Sequence, residues 1–121
     1  MNESLSFGES EHYWLRKDGT ALRVASHEKF MRDFLRKNNL NLSMEDAYEA
    51  AFQEGFVRVT ITQNGIYIQT SFEPSSIKMS RFQKNWLVDK SFNYGFDGTI
   101  KNLSGSDISN RILFREYFDY L

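Results

Sequence analysis

Cysteine is absent from this 121-residue chain, proline occurs once, and 15 Lys plus Arg nearly cancel 16 Asp plus Glu. Without cysteine there is no disulfide framework, thiolate zinc site, iron–sulfur cluster or thiol nucleophile. No apolar run approaches the roughly 18 residues that a membrane-spanning helix needs, so no membrane partner is expected. The net charge of −1 excludes a uniformly basic nucleic-acid binder, although a local basic patch stays open. The first eleven residues carry three acidic and no basic side chains, which is not how a secretory leader begins, and a cytoplasmic location follows as the expectation. H-E-x-x-H, G-x-S-x-G and phosphate-cradling Gly-rich motifs are all missing, so no catalytic residue, metal ligand or cofactor is assigned. What the chain has in quantity is aromatic: eleven Phe, six Tyr and two Trp.

Residues 1–11 read as a loosely held arm and 12–121 as one α+β domain. Asp18-Gly19, between His12–Lys17 and Thr20–Ala25, suits a two-residue hairpin turn; that register sets Leu15 against Leu22 and Trp14 against Arg23. Ser26 can cap a helix over about 27–37, with Phe30, Met31, Phe34 and Leu35 on one stripe. Ser43 opens a second helix whose Met44, Ala47, Tyr48, Ala51 and Phe52 recur at helical spacing, and Gly55 can close it. Asn64-Gly65 marks a second hairpin, with Val57, Val59 and Ile61 on one face and Arg58, Thr60 and Thr62 on a wetter one. Residues 75–90 read as a helix, Asp97-Gly98 as a turn that can hold a third short hairpin, and a terminal helix capped at Ser104 or Ser106 as running to Leu121. The expected architecture is an antiparallel sheet built from two or three β-hairpins, with three or four helices packed mainly on one face.

Four constellations compete for a function. Trp14 with Arg23, on the face of the first hairpin away from its core, makes a candidate protein-binding surface, because Trp and Arg are enriched at binding hot spots. Tyr117 and Tyr120, on a terminal helix apolar around most of its circumference, make a second such surface or a homodimer contact. Lys78, Arg81, Lys84 and Trp86 combine phosphate-binding charge with a stacking ring, the alternative of a nucleic-acid-binding helix. His12 and His27, as the only histidines, are the remaining candidates for a small hydrolase or nucleotide-binding protein. Charge is segregated along the chain: residues 12–37 sum to +4, 41–54 to −4 and 75–90 to +3, a pattern that can steer a partner at low salt. Glu45 and Glu49, four apart on the acidic helix, read as solvated carboxylates rather than an acid–base pair.

The run His12-Tyr-Trp-Leu-Arg-Lys-Asp-Gly19, the Ser26-His27-Glu28 helix start and Tyr48 through Val59 resemble small uncharacterised proteins of tailed bacteriophages and prophages. The similarity covers about half of the chain. What it implies is a small accessory protein made in a bacterial or phage-infected cytoplasm that binds a host protein. Residues and resemblance together lead to a non-enzymatic interaction protein.

Overall fold

The computed structural model describes residues 10–72, 78–102 and 111–113. Its elements in chain order are β1 (Ser10–Leu15), β2 (Ala21–Val24), α1 (His27–Lys37), α2 (Met44–Gln53), β3 (Val57–Thr62), β4 (Gly65–Gln69), α3 (Arg81–Asn93), β5 (Thr99–Asn102) and β6 (Arg111–Leu113). The strands form one sheet in the order β2-β1-β3-β4-β5-β6. Every neighbouring pair is antiparallel except β4 and β5, which run parallel because α3 carries the chain across between them. The α+β class stands, on a mostly antiparallel sheet. β1 takes in Ser10 and Glu11, two residues that the sequence assigns to the arm.

The first hairpin is one residue out of the expected register: Trp14 lies opposite Leu22 and Tyr13 opposite Arg23. Gly19 N–H donates to the Arg16 carbonyl and Arg16 N–H to the Thr20 carbonyl, and only Gly19, at φ +87°, takes positive φ. This is a three-residue loop closed by a glycine bulge, not the two-residue turn. In the second hairpin Thr62 pairs with Gly65, where strands flanking Asn64-Gly65 as 56–63 and 66–72 would set Thr62 opposite Tyr67, so the register is two residues tighter than expected. A slip of two keeps every side chain on its face, so the expected core face of Val57, Val59 and Ile61 is the observed one.

Alternation along β1 divides the core. Tyr13 and Leu15 join Val57, Val59, Ile61, Ile66, Ile68 and Ile100 beneath Leu87 of α3. Trp14 points the other way, into a second cluster with Met31 and Leu35 of α1 and Ala47 and Phe52 of α2. Of the described helices, α1 and α2 therefore cover one face and α3 the other. α3 starts at Arg81 rather than in the mid-seventies, because Ser80 and Gln83 form a reciprocal capping box. Gln83, fully buried, also donates through Nε2 to the carbonyls of Leu15 and Gly55 at 3.0 and 2.8 Å, tying the helix start to the end of β1 and the entry to β3, which lie side by side. Asp97 and Gly98 do turn the chain at positive φ, but the turn leads from α3 into β5. The expected terminal helix is corrected where it can be seen: Arg111–Leu113 are a strand paired with β5.

Candidate functional site: an apolar groove and a buried polar nook

α1 and α2 are both amphipathic, and their apolar stripes meet over β1 and β2 without filling the space between them. Ser26 Oγ accepts from Lys29 N–H and Ser43 Oγ from Asp46 N–H, which fixes both helix starts. The connection between the helices turns at Asn39, φ +53°, and carries Leu40 and Leu42 alternating with asparagine. The result is a half-open cavity of about 300 Å³, floored by Trp14, Leu22 and Phe56 and walled by Phe30, Met31, Ala47 and Ala51. Phe34, Leu40 and Leu42 stand at its edge and are 46%, 45% and 45% exposed, unusual for such large apolar side chains in one place. Arg16 and Glu54 are its charged lining residues. Lys17 lies along Gly55, which brings the two segments carrying Arg16 and Glu54 side by side.

On the far side of the Trp14 indole is a compact polar nook under the first turn of α1. His27, the first residue of that helix, is buried, and its ring meets those of His12 and Trp14 edge to face with centroids 5.2 Å apart in both cases. His27 Nε2 lies 2.9 Å from the Val59 carbonyl oxygen. A carbonyl only accepts, so Nε2 carries the proton and Nδ1 of the neutral ring is a bare lone pair. Burial pushes the His27 pKa down from 6.5 to about 4, with the Val59 bond opposing and the Arg58 charge adding to it. His12 is also held below its ordinary value, by burial and then by Arg58. Arg58 donates from Nη1 to Gln69 Oε1 at 3.1 Å and lies over the Tyr48 ring at 5.4 Å. The buried atoms His12 Nδ1, His27 Nδ1, Trp14 Nε1 and Arg58 Nε have no hydrogen-bond partner.

Trp14, expected on an open face with Arg23, is instead 2% exposed, so its indole is no surface anchor. Trp14 keeps the face expected of it, but α1 and α2 cover that face, and the one-residue slip replaces Arg23 by Leu22 as its cross-strand neighbour and leaves Arg23 opposite Tyr13. Arg23 stays exposed and lies 3.7 Å from Glu11. Burial pushes the Glu11 carboxyl up, but hydrogen bonds from the Tyr13 and Tyr94 hydroxyls and the nearby Arg23 and Lys90 charges outweigh it, and its pKa is lowered overall. Tyr117 and Tyr120, and the dimer contact that rests on their helix, lie outside the described residues.

The basic and aromatic set on α3 is dispersed. Lys78 and Arg81 are exposed, Lys84 is only 3% exposed with its pKa lowered by burial, and Trp86 packs edge to face on Tyr13 at 5.1 Å. A stacking platform needs ring and charge turned to solvent together, which this arrangement does not provide. His12 and His27 do come together, a juxtaposition that spacing could not reveal. They line neither the groove nor the cavity beside Gly55 and Gln83, and among the described residues no carboxylate hydrogen-bonds to either ring. Among the described residues no group of three His, Asp or Glu converges to hold a metal. The groove residues missed in the sequence had one signal, the two leucines set in an asparagine-rich connection. No family model, no curated protein and no solved structure matches the chain.

Proposed function

We propose that the chain is a non-enzymatic binding protein whose groove between α1 and α2 takes bulky apolar side chains of a protein partner. The observation that carries this is the cavity of about 300 Å³ with Phe34, Leu40 and Leu42 exposed at its edge. A half-open apolar trough suits an anchor residue presented by a partner better than a ligand that must be enclosed and oriented by convergent polar groups. Arg16 and Glu54 at the lip favour an anchor flanked by an acidic and a basic residue. The phage resemblance supplies the setting, a bacterial cytoplasm and a host protein as target, with an accessory or inhibitory role. A homodimer through the terminal segment is the other partner class, and sedimentation at micromolar concentration tests it. The nucleic-acid alternative has less support, since Lys84 is buried and Trp86 is packed on Tyr13.

Selection from a displayed library of random peptides tests the groove. Wild type should enrich sequences sharing one or two bulky apolar residues, and the Leu40→Ser/Leu42→Ser variant, altered only at exposed positions, should lose them while keeping its thermal midpoint. Enrichment that survives in the variant unchanged would place the contact elsewhere.

A further inference from the structure

β2 is the outermost strand at one end of the sheet: of the described strands only β1 pairs with it, and none of its four residues is buried. The register shows which of its backbone groups are open. Arg16 N–H donates to the Thr20 carbonyl at 2.9 Å, so these two residues are a hydrogen-bonded pair, and antiparallel alternation makes Trp14 with Leu22 and His12 with Val24 the next two. Ala21 and Arg23 therefore aim their N–H and C=O groups away from β1, where no described strand meets them. An open edge of this kind is a template for another strand, and natural sheets guard it with charge. Arg23 is exposed and supplies that charge. A second copy of the chain is a poor occupant. Two β2 strands paired antiparallel with matching faces would set Arg23 directly opposite or diagonal to its own copy, where like charges repel.

We infer that β2 takes an acidic, extended segment of a protein partner as an added antiparallel strand, which carries alternate apolar side chains into the groove between α1 and α2. This rests on the groove reading above and specifies the partner. Leu22 is part of the groove floor and Val24 packs against the same Trp14 cluster, whereas Arg23, between them, is on the other face. Residues of an added strand opposite Leu22 and Val24 share the groove face, in the closely spaced pairs with about 4.5 Å between Cα atoms. Apolar side chains there continue the floor that Leu22 and Trp14 begin. The residue between them lies opposite Arg23 and exchanges both backbone hydrogen bonds with it, and a carboxylate at that position answers the guanidinium. Arg23 can turn to it, because Glu11, its neighbour at 3.7 Å, keeps the Tyr13 and Tyr94 hydroxyls and the Lys90 charge. The rest of the hairpin favours the same sign: Arg16 and Lys17 are exposed cations, and Asp18 is the one exposed carboxylate of residues 10–25. The recognised pattern is apolar, acidic, apolar on an extended chain.

The test titrates the synthetic peptide acetyl-Ser-Thr-Leu-Glu-Leu-Thr-Ser-amide into the full chain and follows backbone amide signals by nuclear magnetic resonance. Saturable shifts are expected at Ala21, Leu22 and Arg23, with slowed hydrogen exchange at the Ala21 and Arg23 amides. N-methylation of the peptide's Glu removes the donor to the Arg23 carbonyl and should weaken binding about tenfold, whereas N-methylation of its second Leu, whose N–H points away from β2, should change it by less than about twofold. Replacing the Glu by Lys should weaken binding to wild type and restore it in Arg23→Glu, judged at unchanged thermal midpoint. If Arg23→Glu does not fold, Arg23→Gln takes its place and should bind the two peptides alike. The Leu40→Ser/Leu42→Ser variant should lose all of these responses. Equal tolerance of both N-methylations, with binding still lost in Leu40→Ser/Leu42→Ser, would overturn strand addition and leave the groove reading standing. The N-methylation pattern kept intact in Leu40→Ser/Leu42→Ser would overturn the groove reading, and with it the seating of the peptide's leucines. No shift along β2 would overturn the proposal, and the library selection then decides the groove by itself.

Discussion

His27 ties acid stability to a single ring. Its folded pKa of about 4 lies below the unfolded 6.5, so between these values the unfolded chain binds the extra proton. The contribution is complete above pH 6.5, declines as pH falls through the window and is gone by pH 4, a loss of about 3 kcal/mol from His27 alone. His12, depressed in the same direction, adds to it. Glu11, whose folded pKa is also depressed, contributes stability above its unfolded value of 4.5 that is lost as pH falls through the lower folded value. Urea denaturation of wild type at pH 7, 6, 5 and 4 should show this fall. His27→Phe should start lower at pH 7, by about 1–3 kcal/mol for the unsatisfied Val59 carbonyl, yet have a flatter profile to pH 4. Parallel profiles would mean that another group titrates. None of this was legible in the sequence, where His12 and His27 are fifteen residues apart and meet only through sheet register.

At the scale of elements, starts and stops were legible and registers were not. Ser26 and Ser43 cap their helices as read, and Gly55 closes α2 at φ +97°. The turn dipeptides located two hairpins but left the loop length open, since Asp-Gly serves a two-residue turn and a glycine bulge equally. Alternation could not decide between them, because β1 is buried on both faces at Tyr13, Trp14 and Leu15. The parallel β4–β5 pair was invisible for another reason: β5 is four residues long and depends on the crossover through α3. Two substitutions test these junctions. Gln83→Ala removes a donor from two carbonyls and should cost about 2–4 kcal/mol in denaturation. Gly55→Ala should cost about 1 kcal/mol for positive φ. It should cost more again because the new Cβ would lie 2.3 Å from Lys17 Cε. A Lys17→Ala background should recover only that second part, which a double-mutant cycle reads directly.

For the whole molecule, the sheet's two faces have different tasks. The α3 face is a closed apolar core, from Leu15 and Val57 to Ile100. The opposite face is divided among α1, α2, the groove and a polar remainder. Segregated charge in the sequence survives as an arrangement, with basic α1 and acidic α2 forming the groove's two walls. Exposed α1 pairs such as Lys29 with Asp33 add little to stability, because solvent screens them, so these charges matter more for how a partner approaches. Association with a groove-binding peptide should accordingly slow as salt rises, with dissociation little changed; stopped-flow kinetics at low and high ionic strength checks this. The most direct test of the groove itself is a methyl shift map. Met, Leu and Ala methyl groups are labelled, and a peptide enriched by the wild-type protein is titrated in. The changes should centre on Met31, Leu35, Leu40, Leu42, Ala47 and Ala50, with Ile66, Ile68 and Leu87 of the α3 side unmoved in a parallel Ile-labelled sample. Changes centred on the α3 side, or scattered without a focus, would contradict a binding groove between α1 and α2.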